Sequence, residues 1–125
     1  MKRLVAQNRE MRLVDGDLEL RPWRSEDLAA VTEAARDPYI REIEHLDDPR
    51  AWLEQAAERS GLAILVDGAV AGGIQVASWH PRKGNLGYFV LERCRGCGIA
   101  SRAASLLVRR ALGDAYLYAA VRGDI

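Results

Sequence analysis

Polar and apolar residues alternate along Asp17-Leu18-Glu19-Leu20-Arg21-Pro22-Trp23, the two-residue period of a half-buried strand. Pro22 has no N–H to give to a ladder, so the segment is an edge strand or the end of a strand. The period then lengthens. Ser25 is placed to cap a helix with Glu26 and Asp27 in its first turn and Leu28, Val31 and Ala35 as its apolar stripe. Asp37-Pro38 ends that helix. A second helix opens at Asp48-Pro49, turns Trp52, Leu53 and Ala56 inward, and stops at Ser60-Gly61. From Leu62 the short period returns. Leu62–Val66 and Ala69–Trp79 are predicted strands joined by Asp67-Gly68, a two-residue hairpin turn. Gly72-Gly73 marks a bulge or a close backbone contact. His80–Gly84 is a turn, and Leu86–Leu91 is a third, largely buried strand. After a glycine-bearing loop, Ile99, Ala103, Leu106, Leu107 and the run Arg110–Leu112 make an amphipathic helix. Gly113-Asp114 closes it, and Ala115–Val121 is a last strand.

This order predicts one α/β domain of the α+β kind: a mixed, mainly antiparallel sheet with flanking helices and one crossover. The domain is expected over residues 15–125, with residues 1–14 as an N-terminal extension. Length agrees, since 125 residues support a single buried core. The 49% hydrophobic and 29% charged residues exclude a disordered chain. No apolar run approaches the ~20 residues that a membrane-spanning helix requires, and the first residues lack the apolar stretch of a secretory signal. Two cysteines cannot build a disulfide scaffold, so a cytoplasmic location is expected.

Charge adds one refinement. The net charge is zero, yet residues 1–60 carry 10 basic against 14 acidic side chains and residues 61–125 carry 8 against 4. Between Arg82 and Arg110 there are seven basic residues and one acid, Glu92. A local excess of this size suits a small polyanion. A nucleic-acid partner is not expected, because such proteins are usually basic overall.

The segment Leu91-Glu92-Arg93-Cys94-Arg95-Gly96-Cys97-Gly98-Ile99-Ala100-Ser101-Arg102 lies between a buried strand and a helix. Free amides and the helix dipole favour an anion there. Gly96 and Gly98 let a phosphate approach the backbone and permit a positive φ. Arg93, Arg95 and Arg102 add positive charge around the same point. Together these features predict a diphosphate cradle; the competing reading is a tight strand-to-helix turn with surface arginines. A triphosphate P-loop is excluded by the lack of Lys-Ser or Lys-Thr after the glycines. A dinucleotide fold is excluded by the lack of a following strand with a ribose-binding acid.

Arg95-Gly96-Cys97-Gly98-Ile99-Ala100 resembles motif A of the GCN5-related N-acetyltransferases (GNAT), Gln/Arg-x-x-Gly-x-Gly/Ala, with Arg95, Gly98 and Ala100 at its three fixed positions. Leu18–Trp23 followed by Ser25-Glu26-Asp27-Leu28 resembles the family's first strand and helix. Leu86-Gly87-Tyr88-Phe89-Val90 resembles the fourth strand of the branch that acetylates ribosomal-protein N-termini. The resemblance implies an N-acetyltransferase moving an acetyl group from acetyl-CoA to a primary amine, on a protein N-terminus or a small molecule, with no metal. It implies that backbone groups of Phe89, Val90 and Leu91 hold the pantetheine arm and that amides of Arg95, Gly96, Cys97, Gly98, Ile99 and Ala100 hold the diphosphate.

The catalytic residues are left unassigned. The branch often places an acid just before its Gly-Tyr pair, where this chain has Asn85 and Leu86, and Asn85 accepts no proton at neutral pH. The family's usual acid follows the fifth strand and has no counterpart before Ile125. Tyr116 and Tyr118 are expected as packing residues, and His80 as an exposed turn histidine. The family pattern also continues through a further helix and two strands, so an incomplete domain is expected. Its apolar segment Ala115–Val121 would pair with another copy as a homodimer. The alternative is an impaired GNAT-like domain that binds coenzyme A or serves in assembly. A third reading is a redox protein built on Cys94-Arg95-Gly96-Cys97, which lacks the downstream proline of such folds. A zinc site lacks a second ligand pair.

Overall fold

A computed structural model describes residues 12–58, 61–80 and 83–112 of the chain. Among them five strands form one antiparallel sheet in sequence order: β1 (Leu13–Asp15), β2 (Leu18–Pro22), β3 (Gly61–Val66), β4 (Ala69–His80) and β5 (Lys83–Val90). Helices α1 (Leu28–Ala35), α2 (Pro38–Ile43) and α3 (Pro49–Glu58) connect β2 to β3, and α4 (Ile99–Leu112) follows β5. The expected mainly antiparallel α+β sheet is present. The strand expected at Ala115–Val121 lies outside the described residues.

The sheet begins earlier than the expected boundary at residue 15. Leu13 pairs with Leu20 and is buried, so residues 13 and 14 belong to the sheet rather than to an extension. Strand β2 is therefore interior, and Pro22 stands at its end opposite Leu62, where a missing N–H does least harm. The corner after β2 is not held by Ser25, which sits inside a 3₁₀ turn, Ser25–Asp27. Asp27 ties it instead. Its carboxylate accepts two hydrogen bonds from the Arg21 guanidinium, both 2.9 Å, and one from the Arg24 N–H at 2.8 Å. Arg21 and Asp27 are both buried. Losing either partner would strand a charge, at a cost of about 3–5 kcal/mol.

Asp37-Pro38 ends α1 as expected and at once starts α2. The Asp37 carboxylate accepts the Tyr39 N–H at 2.9 Å, and Pro38 occupies the first turn. Asp48 caps α3 in the same way through Arg50 and Ala51. The Asp67-Gly68 turn has φ of 51° and 82°, the twist that joins β3 to β4 as a tight hairpin. Both expectations for Gly72-Gly73 are realised. Ile64 pairs with Gly72 but Leu65 with Val70, which leaves Ala71 as the bulged residue. A Cβ on Gly72 would overlap the Phe89 carbonyl oxygen, and one on Gly73 would lie 2.7 Å from the Trp23 ring.

Helix α4 covers one face of the sheet with Ile99, Ala103, Ala104 and Leu107 against Leu18, Leu20, Leu62 and Ile64. Helices α1–α3 cover the other, where Val31, Ala34, Leu53 and Ala56 join Trp23 and Phe89. Ala34 rather than Ala35 is the fully buried member of the α1 stripe. Leu107 is fully buried, and shortening such a residue to alanine costs about 2–5 kcal/mol. No helix among the described residues is long and apolar enough to cross a membrane.

Candidate active site

Among the described residues β5 is the outermost strand, and the chain leaves it through Leu91, a 3₁₀ turn Glu92–Cys94 and the loop into α4. The Leu91 N–H donates to the Ala71 carbonyl at 2.8 Å. Polar groups of successive strand residues point to opposite edges, so Phe89 and Leu91 address β4 while Tyr88 and Val90 address the open edge. The Val90 carbonyl there accepts the Arg95 Nε–H at 3.1 Å.

The loop owes its shape to Gly96 and Gly98, with φ of 84° and 71°, a region closed to most side chains. A Cβ on either glycine would meet nothing within 4 Å. The requirement is thus conformational, and the space over the loop is open to a ligand. The Arg102 N–H donates to the Gly98 carbonyl at 3.0 Å, which makes Gly98 the cap of α4. The amides of Ile99, Ala100 and Ser101 consequently have no acceptor within the helix. With the positive end of the helix dipole they form an anion site.

Facing these amides is a cleft of about 280 Å³ between α2, β5 and the start of α4. Of the predicted binding residues, Phe89, Val90, Arg95, Gly96, Gly98, Ile99 and Ala100 line it; Leu91 and Cys97 do not. Leu91 is buried and its amide is engaged. Tyr39 and Tyr88 flank the cleft and are exposed. Sequence reasoning missed both, because nothing in the spacing of either distinguishes a rim tyrosine from a packing one.

The three arginines do not converge on one anion position. Arg93 is bound to Glu33 (2.8 and 3.2 Å), Arg95 to Asp37 (2.7 Å), and Arg102 to Asp17 (2.7 Å) and the Asp15 carbonyl (3.0 Å). Each guanidinium staples the loop or α4 to a distant segment. Arg95 holds the Asp37 carboxyl below its usual value, an effect reinforced by the Tyr39 and Ile40 amides. Arg102 does the same to Asp17. With these three arginines matched, an anion at the loop would be met by its backbone amides.

A second cavity of about 300 Å³ also borders α2 and β5, where Ile43 of α2 and Gly87 of β5 are joined by Glu44, Trp52 and Gln75. Phe89 lines the first cleft and Trp52 the second cavity, and both rings belong to one aromatic cluster with Trp23. Trp23 and Trp52 meet edge-on at 5.2 Å, and Trp23 stacks on Phe89 at 6.3 Å. Glu44 is half-buried, and burial pushes its carboxyl above the usual value of 4.5, opposed by the nearby His45. Nothing in the charged stretch Arg41–His45 sets Glu44 apart in sequence, so it too was missed. His80 and Asn85 lie in β4 and β5, while Tyr116 and Tyr118 fall outside the described residues. Cys94 and Cys97 are both free thiols, the first half-buried and the second exposed.

The sequence model of the acetyltransferase (GNAT) domain matches residues 17–122. The chain therefore belongs to the GNAT acetyltransferase family. No curated protein matches it. Its fold is that of a GNAT-family acetyltransferase from Bacillus anthracis, with a TM-score of 0.69 at 18% identity over 79% of this chain and 64% of that one. It is also similar to the Salmonella typhimurium acetyltransferase that modifies the N-terminal serine of ribosomal protein L7/L12. That TM-score is 0.67 at 18% identity, over 92% of this chain and 71% of that one. A third similar structure is the microcin C7 self-immunity acetyltransferase in complex with acetyl-CoA and AMP. Here the TM-score is 0.63 at 15% identity, over 77% of this chain and 63% of that one. The chain thus spans a little under two thirds of the Bacillus protein.

Proposed function

We propose that this chain binds acetyl-CoA in the cleft between α2, β5 and the start of α4, and that it transfers the acetyl group to a primary amine. The observation that carries this reading is the Gly96–Gly98 loop, whose left-handed turns open α4 directly beside β5, the outermost strand among the described residues. Amides from Gly96 to Ala100 would receive the diphosphate. The edge groups of Val90 would receive the pantetheine arm once Arg95 releases its carbonyl. Phe89 contributes its ring to the aromatic wall, and Leu91 positions the loop. A cleft of about 280 Å³ is just below the usual range of ligand pockets, so it would hold part of the coenzyme, with the nucleoside outside. Bound acetyl-CoA would supply an activated thioester carbonyl for attack by a neutral amine.

An N-terminal amine of a protein is the preferred acceptor, supported by the similar Salmonella protein that modifies an N-terminal serine. A cytoplasmic setting fits two free thiols. Homodimerisation through residues 115–121 is supported by the apolar run there, and sedimentation velocity would test it.

Calorimetric titration with acetyl-CoA tests the main reading. Gly98→Asp should weaken binding roughly 100-fold, because two like charges ~4 Å apart repel by about 1–4 kcal/mol between the limits of bulk water and protein surface. Gly98→Asn is the control for backbone strain. It introduces the same side-chain shape without charge, and both residues tolerate a left-handed φ better than most. Equal affinities for Gly98→Asp and wild type would remove the reading.

A further inference from the structure

We propose that Glu44 is the proton acceptor for the attacking amine and that the cavity it lines with Trp52, Gln75 and Gly87 receives the acceptor's ammonium group. This inference rests on the acetyl-transfer reading above. Glu33 is matched with Arg93, Asp37 with Arg95, and Asp27 with Arg21. Glu44 has no hydrogen bond or ion pair to a side chain among the described residues, although it is half-buried. An uncompensated carboxylate in a partly desolvated cavity is costly unless a cation comes to it.

Its position is also fixed. The chain ends α2 with a left-handed residue, His45, at φ 50°. The Leu46 N–H donates to the Arg41 carbonyl at 2.9 Å, and the His45 N–H to the Glu42 carbonyl at 3.3 Å. This paired closure fastens the helix terminus, and the fully buried Leu46 anchors it in the core. Glu44 is therefore presented to the cavity by a rigid turn. The cavity is lined by neutral Trp52, Gln55 and Ala56 of α3, Gln75 of β4 and Gly87 of β5, so among the described residues His45 is the other titratable group facing it. Because α2 and β5 line both this cavity and the acetyl-CoA cleft, the two substrates would be held by the same pair of elements.

The step balances with the two substrates alone. An ammonium proton passes to the Glu44 carboxylate, leaving a neutral amine. The nitrogen lone pair forms a C–N bond to the acetyl carbonyl carbon as the C–S bond breaks. The second nitrogen proton goes to the departing thiolate sulfur, and Glu44 later returns its proton to solvent.

The test uses the full chain with acetyl-CoA and a serine-initiated hexapeptide as the amine probe. Glu44→Gln should leave acetyl-CoA affinity unchanged by calorimetry and lower kcat/KM about 100-fold at pH 7, the usual scale of general-base catalysis. The deficit should shrink above pH ~8, where a peptide α-amine is already neutral. Glu44→Asp should recover part of the rate. A variant within threefold of wild type at pH 7, or one equally impaired at every pH, would overturn the assignment while leaving coenzyme binding intact. So would a wild type that binds acetyl-CoA but neither binds nor acetylates the hexapeptide, spermidine or butylamine. Failure of the wild type to bind acetyl-CoA would overturn the underlying reading as well.

Discussion

The cleft beside the glycine loop and the cavity beside Glu44 are built to meet charge by different means. At the loop end Arg93, Arg95 and Arg102 are each paired with a carboxylate, and an anion would be met by backbone amides held by two left-handed glycines. In the second cavity the carboxylate of Glu44 has no ion pair among the described residues, with His45 nearby. The first site would be built from main-chain geometry and so should tolerate most side-chain changes. The second depends on one ionisable group. Their protons respond in opposite directions as well. Asp37 is depressed by Arg95, whereas Glu44 is raised by burial.

The largest effect that would break this contrast is a failure of the two sites to separate kinetically. Gly98→Asp should act on acetyl-CoA affinity and leave turnover of the saturated protein nearly unchanged. Glu44→Gln should act on turnover and leave affinity unchanged. The double variant should show the product of the two losses, as independent sites do. A large effect of Glu44→Gln on acetyl-CoA affinity would mean that the two cavities are one site.

The next effect is on stability, and it has a definite sign. Folding raises the Glu44 pKa above its ordinary 4.5, so the folded protein binds this proton more tightly than the unfolded chain. The stabilisation is present below pH 4.5 and is lost as pH rises through the folded value. Ionised Glu44 thus weakens the fold at neutral pH. Glu44→Gln should melt above wild type at pH 7, and the difference should disappear at pH 4. Asp37 behaves conversely. Its lowered pKa contributes stability above its ordinary value of 3.8 that is lost as pH falls further. Melting curves of Glu44→Gln and Asp37→Asn across pH 3–8 check both signs, and a less stable Glu44→Gln at pH 7 would indicate a cation bound to Glu44.

The contrast also marks what the sequence could reveal. Local signals were legible: the Asp67-Gly68 turn, the strand-to-helix position of Gly96 and Gly98, and the proline-led start at Asp48-Pro49 all act within a few residues. The pairing of the arginines was not, because Arg93, Arg95 and Arg102 meet partners 60, 58 and 85 positions away. Three arginines near one loop suggested a basic cradle, and only the tertiary fold brings the neutralising acids alongside. Arg21 was read as a polar position of an alternating strand and Asp27 as a first-turn acid, and only the fold shows them buried as a bidentate pair. Glu44 was hidden in a run of charges that the fold divides, exposing Glu42 and turning Glu44 into a cavity. Leu13 was overlooked because three residues are too few to display a period.

A smaller effect sharpens the account of the loop end. Arg95 occupies the motif position that the family resemblance emphasises, yet its guanidinium is spent on Asp37 and the Val90 carbonyl. If binding relies on its amide, Arg95→Ala should change acetyl-CoA affinity by less than about tenfold, one 1.4 kcal/mol step. The variant frees an edge carbonyl for the pantetheine arm while loosening α2. A loss beyond tenfold would show that the side chain leaves Asp37 for the diphosphate when the coenzyme arrives.

The smallest effect is expected at Arg102, the third arginine of the apparent cradle. Its guanidinium reaches away from the cleft to Asp17 and the Asp15 carbonyl, and it is not among the residues lining the cleft. Arg102→Ala should therefore leave acetyl-CoA affinity within threefold of wild type at both low and high salt. The measurable change should lie in the fold. Arg102 fastens α4 to the β1–β2 turn, so its removal should lower Tm slightly, and raising the salt concentration should narrow the difference because an exposed pair is screened. Since Arg102 also holds the Asp17 carboxyl below its usual value, that stabilisation is present above pH 3.8 and lost as pH falls. The Tm difference should accordingly be seen at pH 7 and fade toward pH 3. A salt-dependent loss of acetyl-CoA affinity in Arg102→Ala would instead restore this arginine to the coenzyme site, and with it the reading of the loop as a basic cradle.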